Sequence, residues 1–183
     1  MLQVYECCLT NHNMGWPRYA QRALMTCGCS EDDTLLLGLY HSFEVEKLKL
    51  TSGSTASVSV DTTYPFEDDI RVSVVSGAQS GQHLTLALRI PGWAEKATVT
   101  LPNGTVASGL KNGTLFNVRL PSGASKLTLT LPQKVWLEDR TTAQRKAAAV
   151  HRGPLLFSIP VPYTTNAAPK YIRIPPAACE FLK

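Results

Sequence analysis

The chain has 183 residues, 44% hydrophobic and 17% charged, a composition that supports a packed core and excludes a disordered chain. Its formal charge of +4 is weak, and Lys and Arg are scattered with no basic stripe or interleaved aromatics, which argues against nucleic-acid binding. No apolar run approaches the ~20 residues of a membrane span, and Met1-Leu2-Gln3-Val4-Tyr5-Glu6 lacks the basic start and long apolar centre of a signal peptide.

Residues 1–30 have helical character. Trp16, Tyr19, Ala20, Ala23 and Leu24 share one helical face and predict a short helix over 16–26. Pro17 suits its first turn, Asn11 or Asn13 its start, and Gly28 its end. A lone helix of this length is not stable in water, so it must lean on the rest of the chain or on something outside it. Leu35-Leu36-Leu37-Gly38-Leu39-Tyr40 predicts a buried strand, and His41 to Val45 the turn after it.

From there the apolar residues alternate. Ala56, Val58 and Val60 form one such set, and Ile70, Val72 and Val74 the next. Leu84, Leu86, Leu88 and Ile90 face one way, with Thr85, Ala87 and Arg89 facing the other. Ala97, Val99 and Leu101 follow, then Phe116, Val118 and Leu120, then Leu127, Leu129 and Leu131. Period two places one face of each strand on a core and leaves the other in water. Pro91-Gly92, Pro102-Asn103-Gly104, Asn112-Gly113 and Pro121-Ser122-Gly123 supply turns, the Asn-Gly pairs as hairpin signals. Short strands with turn signals about every 8–12 residues predict an antiparallel β-sandwich. Two more strands are expected around His151-Arg152-Gly153-Pro154, after Val135-Trp136-Leu137 and a polar stretch. The tail from Pro160 is rich in Pro and Ala.

Chemistry concentrates near the start. In Glu6-Cys7-Cys8, followed by Asn11 and His12, a thiolate is both a good nucleophile and a good zinc ligand, and carboxylate and imidazole also ligate zinc. By spacing alone the adjacent pair reads either as part of a metal site or as ordinary buried thiols, since structural zinc sites take four ligands, commonly in spaced pairs. Cys27-Gly28-Cys29 reads as a helix end or a weaker ligand pair, and Cys179 leaves an odd count of five. The two Asn-Gly-Thr sequons, at Asn103 and Asn112, are glycosylation acceptors in a secreted chain and turn residues in any. Asp32-Asp33 and Asp68-Asp69 sit in polar stretches and read as solvated, not as the paired carboxylates of a glycosidase.

Several motifs in order carry a family resemblance. Glu6-Cys7-Cys8-Leu9-Thr10-Asn11 with Gly15-Trp16-Pro17 resembles the Cys-Cys-x-x-Asn segment of glycoside hydrolase family 127, the β-L-arabinofuranosidase-like enzymes. Leu39-Tyr40-His41-Ser42, Thr63-Tyr64-Pro65-Phe66, Leu88-Arg89-Ile90-Pro91-Gly92-Trp93-Ala94 and Arg152-Gly153-Pro154-Leu155 resemble further markers of that family. The resemblance implies a mainly β region, an antiparallel β-sandwich preceded by a short helical remnant of an (α/α)6 catalytic barrel. It divides the chain into the end of the barrel (1–48), a middle sandwich domain (49–160) and the start of a truncated segment (161–183).

The resemblance also implies a retaining, zinc-dependent hydrolase acting on an arabinose-containing glycan, with a cysteine nucleophile and a glycosyl-cysteine intermediate. Carried over, Cys7 is the nucleophile and a zinc ligand, and Cys8 a second ligand. The family's other zinc ligands and its acid/base glutamate lie ahead of the Cys-Cys pair. Glu6 does not match that ligand motif, and the isolated chain is therefore expected to be inactive. The alternative is a non-catalytic carbohydrate-binding or interaction module using Trp93 or Trp136.

Overall fold

The computed structural model describes residues 6–27, 33–78, 83–140 and 147–158, with the backbone alone for residues 6–10 and 12. The chain divides into two compact units, Met1–Leu131 and Pro132–Lys183.

The first unit contains helix α1 (Glu6–Gln21). It lies earlier than the helix expected over 16–26. Pro17 falls inside it, and Asn11 and Asn13 are helical positions, not caps. Bonds from Arg22 N to Tyr19 O and from Ala23 N to Ala20 O, both 3.2 Å, tighten the exit. Strand β1 (Leu24–Cys27) then begins, two residues after the helix. Its four residues pair antiparallel with β2 (Asp33–Leu37), from Leu24 opposite Leu37 to Cys27 opposite Thr34. Strand pairing therefore overrides the helical spacing of Ala23 and Leu24. Ala23 is buried at the bend, whereas Trp16 and Tyr19 of the expected apolar face stay 68% and 41% exposed.

Two sheets build the sandwich. One has the order β1-β2-β6-β9, with β6 (Leu84–Ile90) and β9 (Thr114–Leu120). The other joins β3 (Phe43–Lys49), β4 (Thr55–Asp61), β5 (Asp69–Ser76), β10 (Gly123–Thr130), β7 (Thr98–Thr100) and β8 (Val106–Ala107), in the order β3-β4-β5-β10-β7-β8. Most pairs are antiparallel, but β2 and β6 run parallel, Leu35 opposite Leu86. A parallel pair needs a crossover, and the β3–β4–β5 meander in the facing sheet supplies it. β1, β2 and all but the last residue of β3 lie ahead of residue 49, the expected edge of the sandwich, and these strands pair into its two sheets.

The alternating sets meet in one core. Leu35, Leu37, Leu84, Leu86, Leu88, Ile90 and Leu120 from one sheet pack on Val58, Val60, Ile70, Val72, Val74, Val99 and Leu129 from the other. Each such side chain contributes about 1.5–3 kcal/mol on burial. The expectation of a watered outer face fails at Ala87, which is 3% exposed. It sits on a central strand, opposite Leu36 and Asn117, where larger neighbours cover a methyl group. At the edge strand β3, Glu44, Glu46, Lys47 and Lys49 place charge, and a register shift between Val45 and Leu48 interrupts the ladder. Both features discourage pairing with another chain.

The two Asn-Gly pairs part company. Asn103-Gly104 joins the antiparallel pair β7 and β8, with Leu101 N bonded to Thr105 O at 2.8 Å, and is the expected hairpin. Asn112-Gly113 connects β8 to β9 in the other sheet, so it is an inter-sheet turn and not a hairpin. Gly113 still adopts φ 72° there, and its N–H bonds to Ile90 O at 2.9 Å.

The second unit is an antiparallel sheet of β11 (Val135–Asp139), β12 (Ala148–Arg152) and β13 (Leu155–Phe157). Both strands expected around residues 151–154 are present, joined at Gly153, φ 55°. The tail from Pro160 lies outside the described residues.

Candidate functional site

Cys7 and Cys8 occupy successive positions of α1. On a helix, successive residues are about 100° apart in azimuth, so the backbone presents the pair on adjoining faces. Among the described residues no group of three or more His, Cys, Asp or Glu is arranged to hold a metal. Cys27 lies on β1 and is exposed, while Gly28, Cys29 and Cys179 lie outside the described residues. Asp32 lies outside the described residues, and Asp33 and Asp69 serve in loop and cross-strand hydrogen bonds. Asp33 ties the β3–β4 turn, accepting from Ser52 N at 3.1 Å and Ser54 Oγ at 3.3 Å. Asp69 accepts from Thr130 Oγ1 at 2.7 Å.

What the fold does assemble is a polar and aromatic cluster where α1 joins the sandwich. It draws together residues from motifs far apart in sequence. The Tyr40 hydroxyl donates to Arg89 O. Arg89 Nε donates to Gly38 O at 2.5 Å, and its guanidinium carbon lies 5.8 Å from the centre of the Tyr40 ring. Tyr64 meets Tyr40 edge-on, with centroids 5.8 Å apart. His41 lies between Tyr19 of α1, at 5.1 Å, and Phe43, at 5.3 Å.

A loop network holds Tyr64 in place. The Ser42 hydroxyl donates to Thr62 O at 2.8 Å and accepts from Thr62 N at 3.1 Å, and Thr62 Oγ1 accepts from Tyr64 N at 3.0 Å. Burial pushes the Tyr40 phenol far above its ordinary range, against the opposing pull of the Arg89 charge. Tyr64 is raised too, chiefly by burial and further by Tyr19, with Arg89 again opposing. Both phenols are therefore neutral at physiological pH, and the Tyr40 hydroxyl serves as a donor that ties the junction.

In the second unit, Trp136 stacks on His151 with centroids 4.2 Å apart and planes 10° apart. His151 Nε2 lies 3.1 Å from Glu138, whose carboxylate also meets Arg140 at 2.9 Å. Trp136 is 38% exposed. Trp93, by contrast, is partly buried and packs against the sandwich core. Gly153 is held close: a Cβ there would stand 2.8 Å from Gln133 Cγ.

The sequence motifs contain Tyr40, Tyr64 and Arg89 separately, with no signal joining them. Their contact spans the crossover between sheets, and only the parallel β2–β6 pairing brings Gly38 beside Arg89.

The described residues thus build a two-sheet β-sandwich domain entered directly from a cysteine-bearing helix. Residues 34–133 match the family model described as β-L-arabinofuranosidase, GH127 middle domain, and the chain belongs to that family. Among solved structures it is similar to a glycoside hydrolase at TM-score 0.66 and 24% identity, covering 83% of this chain and 25% of that one. It is also similar to a GH127 β-L-arabinofuranosidase from Geobacillus stearothermophilus T6, at TM-score 0.64 and 24% identity, covering 83% of this chain and 24% of that one. A GH127 β-arabinofuranosidase matches at TM-score 0.53 and 23% identity over 69% of this chain and 22% of its own. The chain thus spans about a quarter of the length of these structures. No curated protein matches the sequence.

Proposed function

We propose that this chain is the sandwich region, with the last helix of the catalytic barrel, of a retaining glycoside hydrolase that removes non-reducing-end β-L-arabinofuranosyl groups. The observation that carries the reading is the family match over residues 34–133, preceded by a helix bearing Cys7-Cys8. In this reading the middle domain begins earlier than the expected residue 49: α1 is the end of the (α/α)6 barrel, the strands from β1 onward belong to the middle domain, and residues 161–183 are the start of a further segment.

Cys7 is the nucleophile and a zinc ligand, and Cys8 is a second ligand. Their donor set suits zinc but fills only half of a four-ligand site. Zinc, when bound, holds a cysteine as its thiolate at neutral pH. The remaining ligands and the acid/base carboxylate come from residues outside this chain, so the chain alone is inactive. Its own contribution is to carry the thiol pair on α1 and to hold that helix against the sandwich.

The test is an assay of the purified chain on aryl arabinofuranosides with added zinc. No turnover is expected. Clear turnover that vanishes in Cys7→Ser would overturn the claim of inactivity. In a longer product of the same gene that contains a helical barrel, hydrolysis should be present and lost in Cys7→Ser; retention there refutes the nucleophile assignment.

A further inference from the structure

The junction between α1 and the sandwich is tied at several points. Only Arg22 and Ala23 separate the helix from β1. Ala23 is 2% exposed, and its carbonyl accepts from Gly38 N at 3.0 Å. Gly38 is close-packed there: a Cβ would lie 3.3 Å from Arg22 O and 3.0 Å from Met25 Cε. One turn back along the helix, Tyr19 lies against the His41 ring, 5.1 Å between centroids, and it also raises the pKa of Tyr64. The bend and the ring contact hold the helix at two separate points, which restrains both its tilt and its rotation.

Cys8 and Tyr19 are eleven positions apart on α1, three turns, so they lie on one helical stripe about 16 Å apart along the axis. A swing of about 15° at Tyr19 would displace residue 8 by about 4 Å over that arm. A misplacement of ~1 Å can cost an enzyme ~100-fold in rate. We propose that His41 is a positioning residue: its ring clamps Tyr19 and thereby sets the orientation of the helix that carries Cys7 and Cys8. The catalytic consequence rests on the reading of Cys7 as nucleophile, whereas the clamp itself does not.

The chemistry of the contact makes the idea specific. His41 Nδ1 has only its neighbour's carbonyl, Ser42 O at 3.1 Å, and Nε2 is buried with no hydrogen-bond partner among the described residues. The ring therefore works through its packing, in tilted contact with both Tyr19 and Phe43, and a phenyl ring should replace it.

Hydrogen exchange of the chain, read by mass spectrometry on α1 peptides and on β5, β6 and β10 peptides, tests this. His41→Ala and Tyr19→Ala should each speed exchange in α1 by roughly threefold to tenfold, the effect of losing one aromatic contact. The sandwich peptides should be unchanged. The double variant should exceed neither single by much, because both remove one contact, and His41→Phe should restore wild-type exchange.

Unchanged α1 exchange in His41→Ala overturns the clamp. So does an equal rise in the sandwich strands, which marks general destabilisation, and so does failure of His41→Phe to restore protection. This readout needs no activity. Failure of the clamp is seen in exchange, whereas failure of the proposed function is seen in turnover that survives Cys7→Ser.

Discussion

Replacing Tyr40 by Phe should change how stability depends on alkaline pH. Tyr40 is 2% exposed, and its hydroxyl donates to the carbonyl of Arg89 across the junction. Removing the hydroxyl deletes that bond at a net cost of about 1 kcal/mol, within the usual range of ~0.5–1.5 kcal/mol. The deleted group is also one that the folded state keeps protonated, because burial raises its pKa above the unfolded value. A neutral acid with a raised folded pKa contributes stability that is complete below the unfolded tyrosine value of about 10. That contribution is lost as pH rises above this value towards the folded pKa, at ~1.4 kcal/mol per pH unit.

The phenylalanine variant has no such titration at this position. The wild type should therefore exceed Tyr40→Phe by about 1 kcal/mol at pH 8, and the two should converge near pH ~11. Tyr64 titrates in both proteins, so its contribution is common to the two apart from its coupling to Tyr40. Urea unfolding followed by tryptophan fluorescence at several pH values from 8 to 11 measures the difference. A gap that stays constant across this interval would refute the argument, since it would mean that the Tyr40 phenol ionises equally well in the folded chain.

Two further substitutions test the sandwich and the second unit. Leu86→Ala removes a fully buried side chain on the central strand β6, between Leu35 and Val118, and should cost ~2–5 kcal/mol in the same unfolding experiment; a loss under ~1 kcal/mol would contradict the packing described. Gly153→Ala forces a side chain into a positive-φ turn against Gln133, and should lower the protection of β12 and β13 amides from exchange while leaving β5 and β10 unchanged.

Much of the sandwich is legible in the sequence. Val58, Val60, Ile70, Val72, Leu86, Leu88 and Leu129 alternate along their strands, and each is buried in the core. Period two survives tertiary folding because a slip of one residue would turn every such side chain into water. The segment 16–26 departs from its expected form for the opposite reason. Its helical spacing is real, but Leu24 to Cys27 satisfy their backbone groups on β2, and pairing partners are invisible in a linear string. The two Asn-Gly turns have the same local chemistry, yet one closes a hairpin and the other passes between sheets. Turn residues specify a bend and say nothing of which sheet receives the next strand.

The linear order of residues by itself determined the β class, the strand faces and the thiol pair, because these depend on neighbours within a few positions. The bounds of the helix that carries Cys7 and Cys8, and the junction of Tyr19, Tyr40, His41, Tyr64 and Arg89, were decided only by the tertiary structure. Its contacts join residues as many as 51 positions apart, as between Arg89 and Gly38, and no periodicity or spacing rule reaches that far. The physical cause is the parallel pairing of β2 with β6, which sets the end of one motif beside the middle of another and so builds the surface on which the cysteine-bearing helix rests.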